Sequence, residues 1–189
     1  MTARSAYHHG DLAAAALDAA LEMLAEDPSA GPSLRALAER VGVAHRALYN
    51  HFADRDALLA ALAARGFDRL ADALAEAAQP AAFLTAYVRF ALAQPGLYAV
   101  MTQRRYDEIN AHPALRASID RVIAVALRVL ATPGADEDTR RREVMRVWML
   151  AHGGIGLQRS GMLRLRSDAE FVAEILLVAG LGPNEDDAR

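Results

Sequence analysis

Between residues 33 and 55 the chain sets out hydrogen-bond donors at helical spacing: Arg35, His45, Arg46, Tyr49, His51 and Arg55. Their chemistry suits nucleic acid. An arginine can take guanine O6 and N7 together, so Arg46 suits a base contact, with a solvated or phosphate-bound arginine as the alternative. Ala44 suits a thymine methyl. The role of Asn50 stays open.

These residues need a scaffold, and the run LRALAERVGVAHRALYNHF at Leu34 to Phe52 has the spacing of a helix-turn-helix. Leu37, Val41, Val43 and Leu48 supply apolar contacts between two short helices, and Ala38 is small where the second must come close. Gly42 falls where the first helix ends, and glycine reaches a left-handed C-cap without a Cβ penalty. The second helix is expected from about Ala44 to Phe52, presenting His45, Arg46, Tyr49 and Asn50 outward. Any tight helical hairpin shares this spacing. Upstream, a helix from about Asp11 to Glu26 carries Leu17, Leu21 and Leu24 on one stripe. Ser33 is an N-cap candidate, although Ala36 rules out a capping box. Asp54 can cap a long fourth helix that continues to about Ala78.

The rest also reads as helix. Pro80, Pro95 and Pro113 suit first-turn positions, where a missing N–H costs nothing, and predict helices at about 80–94, 95–108 and 113–131. A further helix starts at the acids Asp136, Glu137 and Asp138 and runs to about Gly153 or beyond. Ser167 and Glu170 form a capping box for the last helix, which closes at Gly180. The fold class is all-α. A three-helix head at 1–56 extends into helix 4 (54–78), a helical domain covers 57–183, and an acidic tail expected to be disordered covers 184–189.

Composition agrees. More than half of the residues are apolar, aromatics are few, and there is no cysteine, which removes disulfides and thiolate sites. The N-terminus has no secretory h-region and no apolar run is long enough to span a bilayer, so a cytoplasmic protein is expected. One feature cuts against nucleic-acid binding. Residues 1–56 hold five arginines (4, 35, 40, 46, 55) against eight acids (11, 18, 22, 26, 27, 39, 54, 56), and the chain has no lysine. Arg40, Arg46 and Arg55 bracket the proposed reading helix.

YHHGDLAAAALDAALEMLAED followed by SLRALAERVGVAHRALYNHFADRDALLAALAARGF resembles the N-terminal domain of the tetracycline-repressor (TetR) family of bacterial regulators. The resemblance covers about 67 residues. It rests on Ser33, Gly42-Val43, Leu48-Tyr49-x-His51-Phe52 and Arg55-Asp56-x-Leu58-Leu59. FALAQPGLYAVM and the Trp148-x-x-x-His152-Gly153 element resemble the ligand domain of one subgroup. The resemblance implies a homodimer whose two reading helices enter successive major grooves of a double-stranded DNA operator, repressing a gene until a small-molecule effector releases it. It implies phosphate contacts from Tyr49, His51, Ser33 and Arg55, and base contacts from His45 and Arg35. An aromatic plug between the helices is the other role open to Tyr49. Tyr7, His8 and His9 are either an arm on the DNA backbone or a free tail.

For the effector, a loose aromatic and thioether set offers itself, with Tyr87, Phe90, Tyr98, Met101, Met145, Trp148 and Met149 beside the polar Gln103 and His152. An ordinary helical core is the favoured reading for most of these positions taken singly. Trp148 and His152, four apart on one face, are expected to point into one cavity. Val144, Val147, Ala151 and Ile155, with Phe171, Ile175, Leu176 and Ala179, are expected to form a four-helix dimer interface from the last two long helices. No cofactor or metal is expected. Two adjacent histidines without convergent partners make a poor metal site. An enzyme finds no support, since G-x-S-x-G, a phosphate loop and H-E-x-x-H are missing. The alternative is a helical dimeric ligand- or partner-binding protein with a non-functional DNA head, supported by the acidic balance alone.

Overall fold

A chain rich in alanine and leucine and poor in β-branched runs favours helix, and the prolines and caps decide where each helix begins. The computed structural model describes residues 9–29, 31–163, 165 and 167–182, with side chains from Leu12 onward. Tyr7, His8, the His9 side chain and the tail from Asn184 lie outside the described residues. The described elements are α1 (His9–Glu26), α2 (Leu34–Arg40), α3 (His45–Tyr49), α4 (Arg55–Ala75), α5 (Pro80–Ala93), α6 (Pro95–Thr102), α7 (Tyr106–Ala111), α8 (Pro113–Leu130), α9 (Glu137–Arg159) and α10 (Asp168–Val178).

Pro80, Pro95 and Pro113 each open a helix, as their missing N–H predicts. Ser33 caps α2 by accepting from the Ala36 amide at 3.2 Å, and Ser167 caps α10 by accepting from the Glu170 amide at 3.1 Å. Asp54 accepts from the Ala57 amide at 2.8 Å at the start of α4. Gly42 and Gly180 take φ of 71° and 68°, the left-handed turn expected after a helix. The segment 95–108 differs from expectation. It is two helices, broken at Gln103–Arg105.

The chain forms two compact units, each discontinuous in sequence. The first comprises Met1–Phe67 with Gln94–Ser118, and the second Asp68–Ala93 with Ile119–Arg189, so the divisions fall inside α4 and α8. In the first unit, α1, α2 and α3 pack on one another. The leucine stripe expected for α1 is only partly buried. Ala16, Ala19, Ala20 and Leu24 form its inward face, while Leu17 and Leu21 stay half-buried. Leu34, Leu37, Ala38, Leu48 and Phe52 complete that core.

α6, expected among the ligand-domain helices, packs on α1 in the first unit. Gly96 makes this possible. A Cβ there would lie 2.9 Å from both the Leu24 carbonyl oxygen and Pro28 Cα. Gly66 of α4 plays a similar part, since a Cβ there would meet Met101 Sδ at 2.6 Å.

In the second unit, α5 packs against α9 and α10. Val147, Ala151, Ile155, Phe171, Val172 and Ile175 are buried in it. Arg121 of α8 ties to Asp68 and Asp72 at 2.6 and 3.0 Å, and Arg128 donates to the Ala75 carbonyl at 2.7 Å, closing the C-terminal end of α4.

Candidate nucleic-acid interface

α3, the expected reading helix, is shorter than its sequence pattern suggests. α3 has five residues, and beyond it the His51 and Phe52 amides both reach back to the Leu48 carbonyl, at 3.0 and 2.9 Å. Such a turn cannot hold itself in water. Leu48 and Phe52 anchor it in the core, and the Val43 amide bonds the Ala38 carbonyl at 2.9 Å, fixing the turn between α2 and α3. Ala38 is nearly fully buried there, as its size requires.

With Leu48 and Phe52 pointing inward, the other face is presented to solvent. Arg35, Ala44, His45, Arg46, Tyr49, Asn50 and Arg55 are all exposed, while Ser33 and His51 are half-buried. Tyr49, 47% exposed, is not a plug. Its ring meets the His45 ring edge-on, with centroids 5.0 Å apart. Arg55 is placed against the turn before α2, where a Cβ on Gly31 would meet its Nη2 at 2.5 Å. The structure thus brings Arg55 beside the segment that leads into the Ser33 cap.

The acids of the head have partners of their own. Arg40 reaches from α2 to Glu26 at 2.8 Å and Glu22 at 3.3 Å, so it bridges α2 to α1 and is not a free cation beside the reading helix. The Arg40 guanidinium holds the Glu26 carboxyl below its ordinary range. Arg65 pairs with Asp18, Asp54 caps α4, and Asp56 is held by Arg104 and His112. With Asp27, which accepts from the Ser29 amide and hydroxyl, six of the eight acids counted against nucleic-acid binding are therefore engaged within the first unit. Arg35, Arg46 and Arg55 remain exposed on α2, α3 and the start of α4.

The effector candidates divide. Tyr87 and Phe90 are buried in the second unit, and Tyr98 and Met101 are buried in the first. Gln103 is exposed. Trp148 does not point inward as expected, and Met145 and Met149 are exposed with it. They lie on the outer face of α9, with Trp148 50% and Met149 57% exposed. Trp148 does share a face with the half-buried His152, their rings stacked at 5.8 Å, but that face looks outward. The expected dimer residues are corrected in the same way. Val147, Ala151, Ile155, Phe171 and Ile175 are spent on the second unit's own core, while Val144, Leu176 and Ala179 are half-buried. The apolar side chains left outside on these two helices are Met145, Trp148, Met149 and Leu157 of α9 and Leu177 and Val178 of α10. Among the described residues no cluster of three or more His, Cys, Asp or Glu could hold a metal ion. No helix among them is long and apolar enough to cross a membrane.

Comparison with known proteins decides the family. Residues 16–62 match the family described as bacterial regulatory proteins, tetR family, and residues 80–179 match the tetracyclin repressor-like C-terminal domain. The chain is a TetR-family transcriptional regulator. Among its relatives is the HTH-type transcriptional regulator YobS of Bacillus subtilis (strain 168), 32% identical over 147 residues, which span 72% of this chain and 73% of YobS. A protein of unknown function from Rhodococcus sp. RHA1 shares the fold with a TM-score of 0.73 and 32% identity, over 93% of this chain and 97% of that one. The regulator LfrR from Mycobacterium smegmatis, solved in complex with proflavine, matches with a TM-score of 0.57 and 26% identity, over 92% and 97% of the two chains.

In this TetR-family regulator, sequence reasoning passed over one group of residues in the first unit. Arg104, at the break between α6 and α7, has a side chain only 6% exposed. Its Nη2 donates to Asp56 Oδ1 and lies 4.0 Å from Glu108. His112 Nε2 lies 2.8 Å from the other oxygen, Asp56 Oδ2. An ionised carboxylate only accepts, so this geometry puts a proton on Nε2. His112, then Arg104, hold the Asp56 carboxyl below the usual aspartate range. The carboxylate form is thus favoured by folding, and its contribution, present above the unfolded value, is lost only as pH falls through the lowered one.

Proposed function

We propose that the chain is a ligand-responsive repressor that binds a pseudo-palindromic operator as a homodimer and is released by a small-molecule effector. The observation that carries the DNA reading is the face of α3 and its flanks. Arg35, Ala44, His45, Arg46 and Tyr49 are exposed together, over a core that uses the intervening Leu48. In this reading Arg46, His45, Arg35 and Ala44 meet base edges, while Ser33, Tyr49, His51 and Arg55 meet phosphates. Phosphate contacts fix register, and base contacts carry sequence.

A salt titration with single substitutions tests the division. The wild type is expected to lose affinity by about 0.9 log units per decade of salt for each phosphate neutralised. Arg55→Ala lowers that slope by about one unit and weakens all duplexes alike, as His51→Ala does without specificity change. Arg46→Ala costs about 10- to 100-fold at one base-pair position and relaxes preference there. Equal behaviour of Arg46→Ala and His51→Ala on every duplex sinks the division.

For the dimer, the support is the outward face of α9 and α10. Met145, Trp148, Met149, Leu157, Leu177 and Val178 leave more apolar surface exposed than isolated side chains would. Dimeric helix-turn-helix proteins bind half-sites about 34–36 Å apart, and two-fold pairing of such faces would supply the dimer. Trp148 is the chain's single tryptophan, so its emission reports whether that face is covered. Sedimentation is expected to give a dimer at micromolar concentration, with Trp148 emission shifting to longer wavelength as dilution separates the subunits. Trp148→Glu is expected to give a folded monomer that binds a full operator at least 100-fold more weakly. A monomeric wild type at those concentrations defeats the dimer reading.

Release requires an effector that binds the non-DNA-binding arrangement more tightly than the bound one. LfrR was solved with proflavine, which supports a small-molecule effector here. Among the earlier candidates, Tyr87 and Phe90 are the inward-facing aromatics of the second unit. The subgroup marked by Trp148, His152 and Gly153 belongs to the same proposal, as does a cytoplasmic location.

A further inference from the structure

We propose that Arg104 and His112 are positioning residues for DNA binding: together they clamp Asp56 and so hold the first turn of α4, and Arg55 within it, in the DNA-competent place. The proposal rests on the DNA-binding reading and adds residues to it that themselves touch no DNA.

Three observations carry it. The two oxygens of Asp56 are taken separately, one by Arg104 Nη2 and one by His112 Nε2, from positions 48 and 56 residues further along the chain. Asp56 itself is half exposed, and an exposed acid in the first turn of a helix is already favoured by the helix dipole without partners. A nearly buried arginine brought to it has another consequence, which is to fix where that turn lies. Next, the turn is where the head's phosphate-facing groups are set. Asp54 caps it, and Arg55, adjacent to Asp56, lies against Gly31 before the Ser33 cap. Last, Arg104 has little else to hold it. Its Nε–H has no acceptor among the described residues, so its charge is oriented by Asp56 and, at 4.0 Å, by Glu108.

A clamp of this kind differs from a stabilising ion pair in what its loss does. Asp56 keeps about half of its side chain in water, which screens the Arg104 pair and limits what it adds to global stability. The clamp therefore acts on orientation and on local opening of α4. Leu97 and Met101 of α6 and Leu115 of α8 are buried apolar side chains of the same unit, so these helices have packing of their own besides the clamp.

The test uses the full chain and a duplex enriched from a randomised pool by the wild-type protein. Asp56→Asn and Arg104→Gln are each expected to weaken binding to that duplex about tenfold, while the melting temperature moves by no more than about 2 °C. The double variant is expected to bind no more weakly than either single one, as coupled partners do. Arg104→Lys, which keeps the charge, restores binding to within about threefold of wild type, and His112→Gln gives a smaller loss than Arg104→Gln. In the free protein, amide exchange at residues 56–60 rises about tenfold in Asp56→Asn and Arg104→Gln without matching change in α2. Unchanged binding and exchange in folded variants, additive losses in the double variant, or binding losses that only track the melting temperature overturn the clamp. If the wild type enriches no duplex, the DNA reading fails, and the exchange measurement still decides whether Asp56 is held.

Discussion

Leu48→Ala is expected to destabilise the first unit by about 2–5 kcal/mol and to abolish duplex binding near its new melting temperature. The size follows from where the residue sits. Leu48 is fully buried in a helix of five residues, which lies far below the length that supports itself. Both the His51 and Phe52 amides bond its carbonyl, so a shift of this residue carries the end of α3 with it. A domain's whole margin is only about 5–15 kcal/mol, so this loss is a large share. The neighbouring Tyr49→Ala, which removes a half-exposed ring, is expected to change stability by no more than about 0.5 kcal/mol. Thermal melts and binding isotherms of the two variants side by side check the contrast. A stable Leu48→Ala head sinks Leu48 as an anchor of α3.

Gly96→Val is expected to cost about 3 kcal/mol, comparable to the loss at Leu48, although it adds atoms instead of removing them. The obstacle is backbone. The new Cβ would stand 2.9 Å from the Leu24 carbonyl oxygen and from Pro28 Cα, and neither can swing aside as a side chain would. α6 must lift from α1, or the end of α1 must move. Gly66→Ala makes the informative comparison. Its Cβ meets Met101 Sδ and Cγ, the far part of a flexible thioether, and alanine returns roughly 1 kcal/mol of helix propensity. Denaturant unfolding is expected to find Gly66→Ala within about 1 kcal/mol of wild type and Gly96→Val well below it. Equal costs would show that α6 sits more loosely on α1 than the geometry implies.

Local chemistry made much of this fold legible beforehand. Pro80, Pro95 and Pro113, the Ser33 and Ser167 caps and the left-handed Gly42 and Gly180 mark helix ends through requirements that involve only near neighbours. What escaped was set by distant partners. No proline or glycine announces the break at Gln103–Arg105. It is marked by Arg104 turned inward to Asp56, a partner 48 residues away. α9 shows a second limit of pattern. It carries apolar residues on two faces, and periodicity alone does not say that Val147, Ala151 and Ile155 go to its own core while Trp148 and Met149 stay outside. The exposed face of α3 was legible because Leu48 and Phe52 must go inward, which turns His45, Arg46 and Tyr49 out. The charge balance misled because a count of acids does not show that Arg40, Arg65 and Arg104 hold five of them together with a cap and a histidine.

The first unit's discontinuity also bears on engineering. A helix-turn-helix head is commonly treated as a portable N-terminal cassette, to be spliced onto another sensor at a single junction. Here a cassette ending at Phe67 would leave behind the helix that seats Gly96 on Leu24 and Pro28, together with the arginine and histidine that hold Asp56. A transplant that keeps the first unit whole therefore needs two junction pairs and must carry Gln94–Ser118 with the head.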